Sequence, residues 1–319
     1  MTHHTFLIEA KNVGERVDVF LSENLHPLSR SQAKKLIDEA KVLLKGKKIK
    51  PSYELRAGDV LEVEIPPPAS SDVLPEELPL DILFEDEDII VVNKSAGMVV
   101  HPGPGHQEGT LVNALLGHCK DLSGIGGELK PGIVHRLDKG TSGVMVAAKN
   151  DAAHLHLAAQ FADRTIQKTY FAVVVGACKD LSGRIESSIG RSMSDRKKIS
   201  SRTSKGRRAL TEWRILERLG HSLSTLEIGL RTGRTHQIRV HMCEMGHPLV
   251  GDEVYGGRTR AKGIRDELLR DVILAFPRPA LHSLKLRLLH PRTLESMLFT
   301  APLAEDIEAL LGRCREILK

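Results

Sequence analysis

Cysteine and aromatic residues are scarce in this chain of 319 residues. The four cysteines, Cys119, Cys178, Cys243 and Cys314, are scattered and form no C-x-x-C pair. That argues against a disulfide or zinc framework and fits reduced thiols in a cytoplasmic protein. Aromatics make up 3%, with Trp213 the single tryptophan, so a surface that grips single strands by serial base stacking is not expected. No apolar run approaches the ~18 residues of a membrane span. The opening Met1-Thr2-His3-His4-Thr5 has no basic-then-apolar signal pattern. Repeats and low-complexity tracts are absent too. His154 and His156, two apart on an expected helix, point to different faces, and Gly124-Ile125-Gly126-Gly127 lacks the Lys-Ser/Thr of a phosphate loop. Neither a metal nor a cofactor is therefore expected.

What is present begins with charge. The net charge of +5 is segregated. Residues 11–56 hold 11 Lys/Arg against 6 acids, residues 57–93 hold 11 acids and no base, and residues 184–208 return to 9 bases against 2 acids. Separate positive blocks are the footprint of a polyanion partner, and with so few aromatics, phosphate and shape contacts to structured RNA fit best. Hydrophobic content of 41% supports a real core, and the length suits roughly two domains.

Apolar spacing predicts a helix over 16–25 and a second from a Ser29-x-x-Gln32 capping box to about Ala40, with Ala33, Leu36, Ile37 and Ala40 as its buried stripe. Arg30 and Lys34 share another face of that helix. Lys45-Gly46-Lys47-Lys48 reads as a turn, and 55–65 as closing strands. Residues 66–71, Pro-Pro-Pro-Ala-Ser-Ser, read as a linker. Beyond it, 82–85 and 89–92 predict a hairpin, and 97–101, 132–134, 144–148, 168–175, 209–216, 223–230 and 284–288 predict strands. Helices are expected over 110–119, from an Asn150 cap to about Arg164, from a Thr235 cap to Met245, and over 304–318. Strands outnumber helices without strict alternation, so the large domain is expected to be α+β with a mixed sheet.

The most informative stretch is His135-Arg136-Leu137-Asp138-Lys139-Gly140-Thr141-Ser142-Gly143. It puts a carboxylate on a loop between two strand-like runs, flanked by Arg and small residues, which suits either a catalytic nucleophile or base or a plain solvated turn.

Two resemblances bear on that choice. R-V-D-V-F-L at 16–21, S-R-S-Q-A at 29–33 and R-A-G-D-V-L-E-V at 56–63 resemble the small RNA-binding domain named after ribosomal protein S4; Ala40 stands where its first turn glycine is usual. The 135–143 loop, then Gln167-Lys168-Thr169-Tyr170, then L-R-T-G-R-T-H-Q-I-R-V-H at 230–241, with G-H-P-L-V-G-D at 246–252 and Leu281-His282, resemble in order the RluA-type pseudouridine synthases. Asn93-Lys94-Ser95-Ala96-Gly97 and the P-G-P-G-H loop look most like the D-type, large-subunit rRNA branch. The implied division is an RNA-binding domain at 14–65, a linker at 66–78 and a catalytic domain at 79–319.

The resemblance implies isomerisation of uridine to pseudouridine, with Asp138, Tyr170 and Arg239 catalytic. The C5 proton leaves and N1 gains one, with no net change in composition or oxidation state, so no cofactor is needed. An ionised Asp138 in a water-poor pocket needs a cation, because desolvation alone favours the neutral acid. Arg239 is the implied partner, Tyr170 would lie against the base, and Leu281 would pack its other side. Arg136 is placed to fill the stack left by a flipped base. His135, Thr141, Arg234 and His236 are further substrate-binding candidates, and Arg30, Lys34, Lys35, Lys47 and Lys48 RNA-binding ones. Whether Asp138 attacks C1′, removes a ribose proton or adds to the ring stays open, with a route through the sugar preferred. The expected partner is large-subunit ribosomal RNA, free or in an assembling particle, bound by a monomer. The rivals are a non-catalytic assembly factor and the same chemistry on other rRNA or tRNA uridines.

Overall fold

The computed structural model describes all residues except 1, 26–27, 29, 66–72, 104, 120–121, 123–130, 193–197 and 204–205. The Ser29 capping box, the Pro-rich linker, the 124–127 turn and part of the 191–208 basic run thus lie outside the described residues. Two compact units are present, Met1–Ser71 and Asp72–Lys319.

The first unit is a four-stranded antiparallel sheet of β1 (Thr2–Leu7), β2 (Val42–Leu44), β3 (Lys47–Lys48) and β4 (Val60–Ile65), in the order β1-β4-β2-β3. Helices α1 (Val17–Asn24) and α2 (Arg30–Asp38) pack on it. Val17, Phe20 and Leu21 of α1 meet Ala33, Leu36 and Ile37 of α2 over Val42, Leu61 and Val63. Strand β1 reaches back beyond residue 14. Its side chains are mostly exposed, so main-chain pairing with β4 forms it rather than an apolar pattern. Ala40 lies past the end of α2 at φ 58°, the left-handed conformation in which glycine is usual.

The second unit contains β5 (Ile82–Glu85), β6 (Ile89–Lys94), α3 (Leu111–His118), β7 (Ser142–Ala148), α4 (Asp151–Asp163), β8 (Gln167–Val175), β9 (Ser182–Arg191), β10 (Ile199–Ser200), β11 (Arg207–Leu219) and β12 (Leu223–Leu230). It continues with α5 (Gln237–Glu244), α6 (Gly257–Ala261), α7 (Glu267–Ala275), β13 (Leu281–Leu289), β14 (Ser296–Thr300) and α8 (Glu305–Ile317). The sheet runs β10-β9-β11-β12-β8-β13-β7-β6-β5, with β14 also on β13, and among the described residues β13 and β7 are its one parallel pair. This is the mixed-sheet α+β architecture. Alternation along β8 sends Tyr170, Ala172 and Val174 into a core with α3 and α5, and Phe171, Val173 and Val175 into another with α7 and α8. Gly143, at φ 109°, lets β7 reach β13: a Cβ there would stand 2.2 Å from the Ser283 carbonyl oxygen. Among the described residues no helix is long and apolar enough to cross a membrane.

Three expected elements differ. Residues 97–101 form a loop, because Gly97 turns at φ 89° and the Val99 and Val100 carbonyls accept the first N–H groups of α3. Residues 132–134 give one isolated bridge, Ile133 to Ala147, rather than a strand. Thr235 does not cap α5. His236 occupies that position, left-handed at φ 55°, while the Gln237 carboxamide accepts from the Arg234 N–H and the Thr232 hydroxyl.

Candidate active site

Asp138 sits on the loop that enters β7. The Thr141 N–H donates to its carbonyl at 2.9 Å, the Lys139 carbonyl accepts from Gly97 N–H at 2.8 Å, and the Gly140 carbonyl accepts from Arg278 at 2.9 Å. Across from it, α5 brings up Arg239, whose Nη1 lies 3.5 Å from Asp138 Oδ2. His236 Nε2 lies 3.8 Å from the same oxygen. Asp138, Tyr170, Arg239, Arg136, Thr141, Arg234, His236 and Leu281 line one cavity of about 90 Å³.

Tyr170 is buried at the centre of β8, between Ile228 and Ser283. Burial, with the negative charge of Asp138 behind it, holds its phenol protonated well above the ordinary range, against a hydrogen bond with Ser283. Burial alone would make Arg239 less basic. The hydrogen bonds and charge of Asp252, with Asp138 beyond, reverse that and raise its pKa. The His236 pKa is lowered, chiefly by burial.

His135 does not join the cavity. Its ring stacks on Phe161 at 4.6 Å, and its Nε2 accepts from the Val146 N–H at 3.1 Å. Burial first, then the charge of Lys168, pushes its pKa down to about 3. Through these two contacts it braces the loop. Arg136 is exposed and forms no ion pair with a described residue. In the first unit, Lys34, Lys47 and Lys48 are exposed, whereas Arg30 donates to the buried Asp18 at 3.0 Å and Lys35 lies 3.9 Å from Glu39.

Four further residues complete the site. Asp252, fully buried, takes the Arg239 fork at 2.7 and 3.0 Å. Tyr255 contacts His236 at 2.9 Å. Arg278 joins Asp306 to the Gly140 and Leu281 carbonyls. Lys94, fully buried, donates to the Ser95 and Met98 carbonyls at 2.8 and 2.9 Å and holds the loop that braces Lys139. Burial, then the Arg278 charge, brings its pKa down to about 7. Asp252 and Lys94 lie inside motifs that the sequence displays, but only folding shows what they hold.

Two groups of metal-capable side chains also come together, Glu85-His118-Cys119 and Asp86-Asp88-His290. Both already serve cations: Lys149 lies 2.6 Å from Glu85, and Arg292 lies 2.7 Å from Asp88.

The RNA pseudouridylate synthase family matches residues 88–244, and the S4 domain matches residues 15–61. An uncharacterized RNA pseudouridine synthase of Synechocystis is 46% identical over 307 residues, covering 95% of this chain and 90% of the relative. The chain belongs to the RNA pseudouridine synthases. The ribosomal large subunit pseudouridine synthase D of Zymomonas mobilis is 44% identical to this synthase over 302 residues, 93% of each chain. Among solved structures, the human RNA pseudouridylate synthase domain containing 4 is similar over 73% of this synthase and 92% of its own chain, with 25% identity and a TM-score of 0.56. The enzyme thus joins pseudouridine synthase activity to an RNA-binding S4 domain.

Proposed function

We propose that this synthase isomerises uridines of large-subunit ribosomal RNA, with Asp138 as the catalytic carboxylate. The observation that carries the reading is the single cavity in which Arg239 stands 3.5 Å from Asp138 while Tyr170 and Leu281 form the walls. A flipped uracil would lie between Tyr170 and Leu281, with its ribose toward Asp138. The bond from N1 to C1′ breaks, the base turns, C5 bonds to C1′, the C5 proton leaves and N1 takes up a proton, so the product is an isomer. The protonated Tyr170 offers a ring face and a hydroxyl to the base. Extruding the base costs a few kcal/mol, and Arg136 is free to fill the vacated stack.

The relatives named for the ribosomal large subunit support that RNA as substrate. So does a crowd of cations around Arg234, which lines the cavity. Arg164 and Arg234 each make Lys168 less basic beyond the effect of burial, and Arg207 and Arg164 do the same to Arg234. None of the four has a carboxylate within ion-pair distance among the described residues. Like charges left together without counterions suit phosphate groups.

The test is tritium release from RNA labelled at uridine C5, on large-subunit rRNA and on tRNA. Release from the rRNA by the wild type, and none by Asp138→Asn at near-equal RNA affinity, is expected. Substantial release by Asp138→Asn overturns the carboxylate assignment. Preference for tRNA overturns the substrate, and RNA binding without any wild-type turnover makes the protein an assembly factor.

A further inference from the structure

His236 stands between two partners that ask different things of its two nitrogens. Nδ1 is 2.9 Å from the Tyr255 hydroxyl, and Nε2 is 3.8 Å from Asp138 Oδ2. The second distance is too long for a hydrogen bond, and a small closure around substrate would shorten it.

The direction of the first bond follows from a third group. The Ile199 N–H of β10 donates to the Tyr255 oxygen at 3.0 Å. The tyrosine therefore already accepts one proton and has its own left to give, and among the described residues its acceptor at hydrogen-bond distance is His236 Nδ1. A histidine whose Nδ1 accepts carries its proton on Nε2 when neutral. The opposite tautomer would turn a bare lone pair toward the Asp138 carboxylate, which repels.

The surroundings fix both rings. Tyr255 meets His236 edge-on with centroids 5.6 Å apart, and its own face supports the Arg239 guanidinium at 4.9 Å. Its backbone N–H is tied to Asp252 at 3.0 Å. His236 itself is held left-handed at φ 55°, a conformation that a histidine keeps only where its surroundings impose it.

We propose that Tyr255 is a positioning residue for the reaction, fixing His236 as the Nε2–H tautomer, a neutral donor turned toward Asp138 and the ribose bound beside it. Charge supply is already the work of Arg239; His236 adds direction without a second full charge. The groups facing the imidazole are Asp138, Asp252, Arg239, Arg136 and Tyr255. Asp138 and Asp252 favour its protonation, Arg239 and Arg136 oppose it, and the Tyr255 O–H opposes it further by occupying the Nδ1 lone pair. Losing that hydroxyl should make His236 easier to protonate, so the acid limb of the rate profile moves to higher pH.

The kinetic arm of the test rests on the reading of Asp138 as catalytic; the spectroscopic arm does not. Nitrogen-15 histidine labelling, with His236→Gln to identify the resonance, reads the tautomer directly. The wild type should show a bare Nδ1 and a protonated Nε2, and Tyr255→Phe a mixture. In tritium release, Tyr255→Phe should lower kcat about 10- to 100-fold and leave KM for RNA within about twofold. In a His236→Gln background, whose side chain has no tautomer to fix, Tyr255→Phe should cost nothing further. A wild-type Nδ1–H tautomer, an unchanged tautomer in Tyr255→Phe, or penalties that add in the double variant would each overturn the proposal. If Asp138→Asn retains turnover while the tautomer shifts as described, the carboxylate assignment fails and the Tyr255–His236 relation stands.

Discussion

Asp252 grips Arg239 before Arg239 reaches Asp138. The Nε and Nη2 of the guanidinium are bound at 2.7 and 3.0 Å, and the remaining Nη1 is left 3.5 Å from the Asp138 carboxylate. Asp252 is held in turn by the N–H groups of Val254 and Tyr255, each at 3.0 Å. The fork is thus aimed without substrate, which is what preorganised electrostatics require.

Asp252→Asn should therefore damage chemistry more than binding. One acceptor survives, but the fork loses its charged half and can swing. Turnover in tritium release is expected to fall about 100-fold with KM within about threefold. Urea midpoints should drop as well, since breaking a buried pair costs about 3–5 kcal/mol. Wild-type kcat in a folded Asp252→Asn enzyme would mean that something else aims Arg239.

Lys168 yields a prediction of opposite signs. Its ammonium lies over Phe161, 5.8 Å from the ring centroid, and its charge is crowded by Arg164 and Arg234. Lys168→Met keeps the stem and removes the repulsion. The free enzyme should gain a few tenths of a kcal/mol in thermal unfolding, while the salt dependence of RNA binding falls by about 0.7–0.9 in log–log slope. An unchanged slope would move the phosphate contact away from this cluster.

The N-terminal unit has a strained turn. Ala40 sits at φ 58° with Lys45 at 48° and Gly46 at 74° in the turns on either side of β2. A left-handed alanine costs about 1–2 kcal/mol, partly offset by the smaller entropy that alanine loses on folding. Ala40→Gly should stabilise the S4-like unit by about 0.5–1 kcal/mol, read as a higher midpoint in thermal unfolding, with RNA affinity unchanged. A lower midpoint would show that the turn is relaxed.

How legible the fold was depended on which force made each element. Apolar spacing exposed α1 and α3, β-branched residues exposed β8, whose second half is buried on both faces, and Asn150 marked the start of α4, which it caps through the Ala153 N–H. β1 has no such spacing because its side chains face water, and 97–101 looks like a strand because Met98, Val99 and Val100 are apolar for packing a loop. The motifs displayed Asp138, Tyr170 and Arg239, which fold into one cavity. They could not display Tyr255, Arg278 or Asp306, whose places depend on contacts across long sequence separations. Nor could they show that His135, next to Arg136, turns the other way.

That turn sets a pH dependence. Burial, then Lys168, keeps His135 unprotonated down to about 3, whereas an unfolded histidine protonates near about 6.5. Between those values the unfolded chain binds a proton that the folded chain refuses, so stability falls as pH falls through the interval and recovers as pH rises. From about pH 8 to about pH 5 the loss from this one group is about 2 kcal/mol. His282, pushed down to about 4 by burial and then by Arg278, works in the same direction. His135→Gln keeps an acceptor for the Val146 N–H and has no proton to gain. Its urea midpoint should start lower than wild type at pH 8, through lost stacking on Phe161, yet decline less on acidification. Parallel declines in the two proteins would show that the His135 ring reaches water.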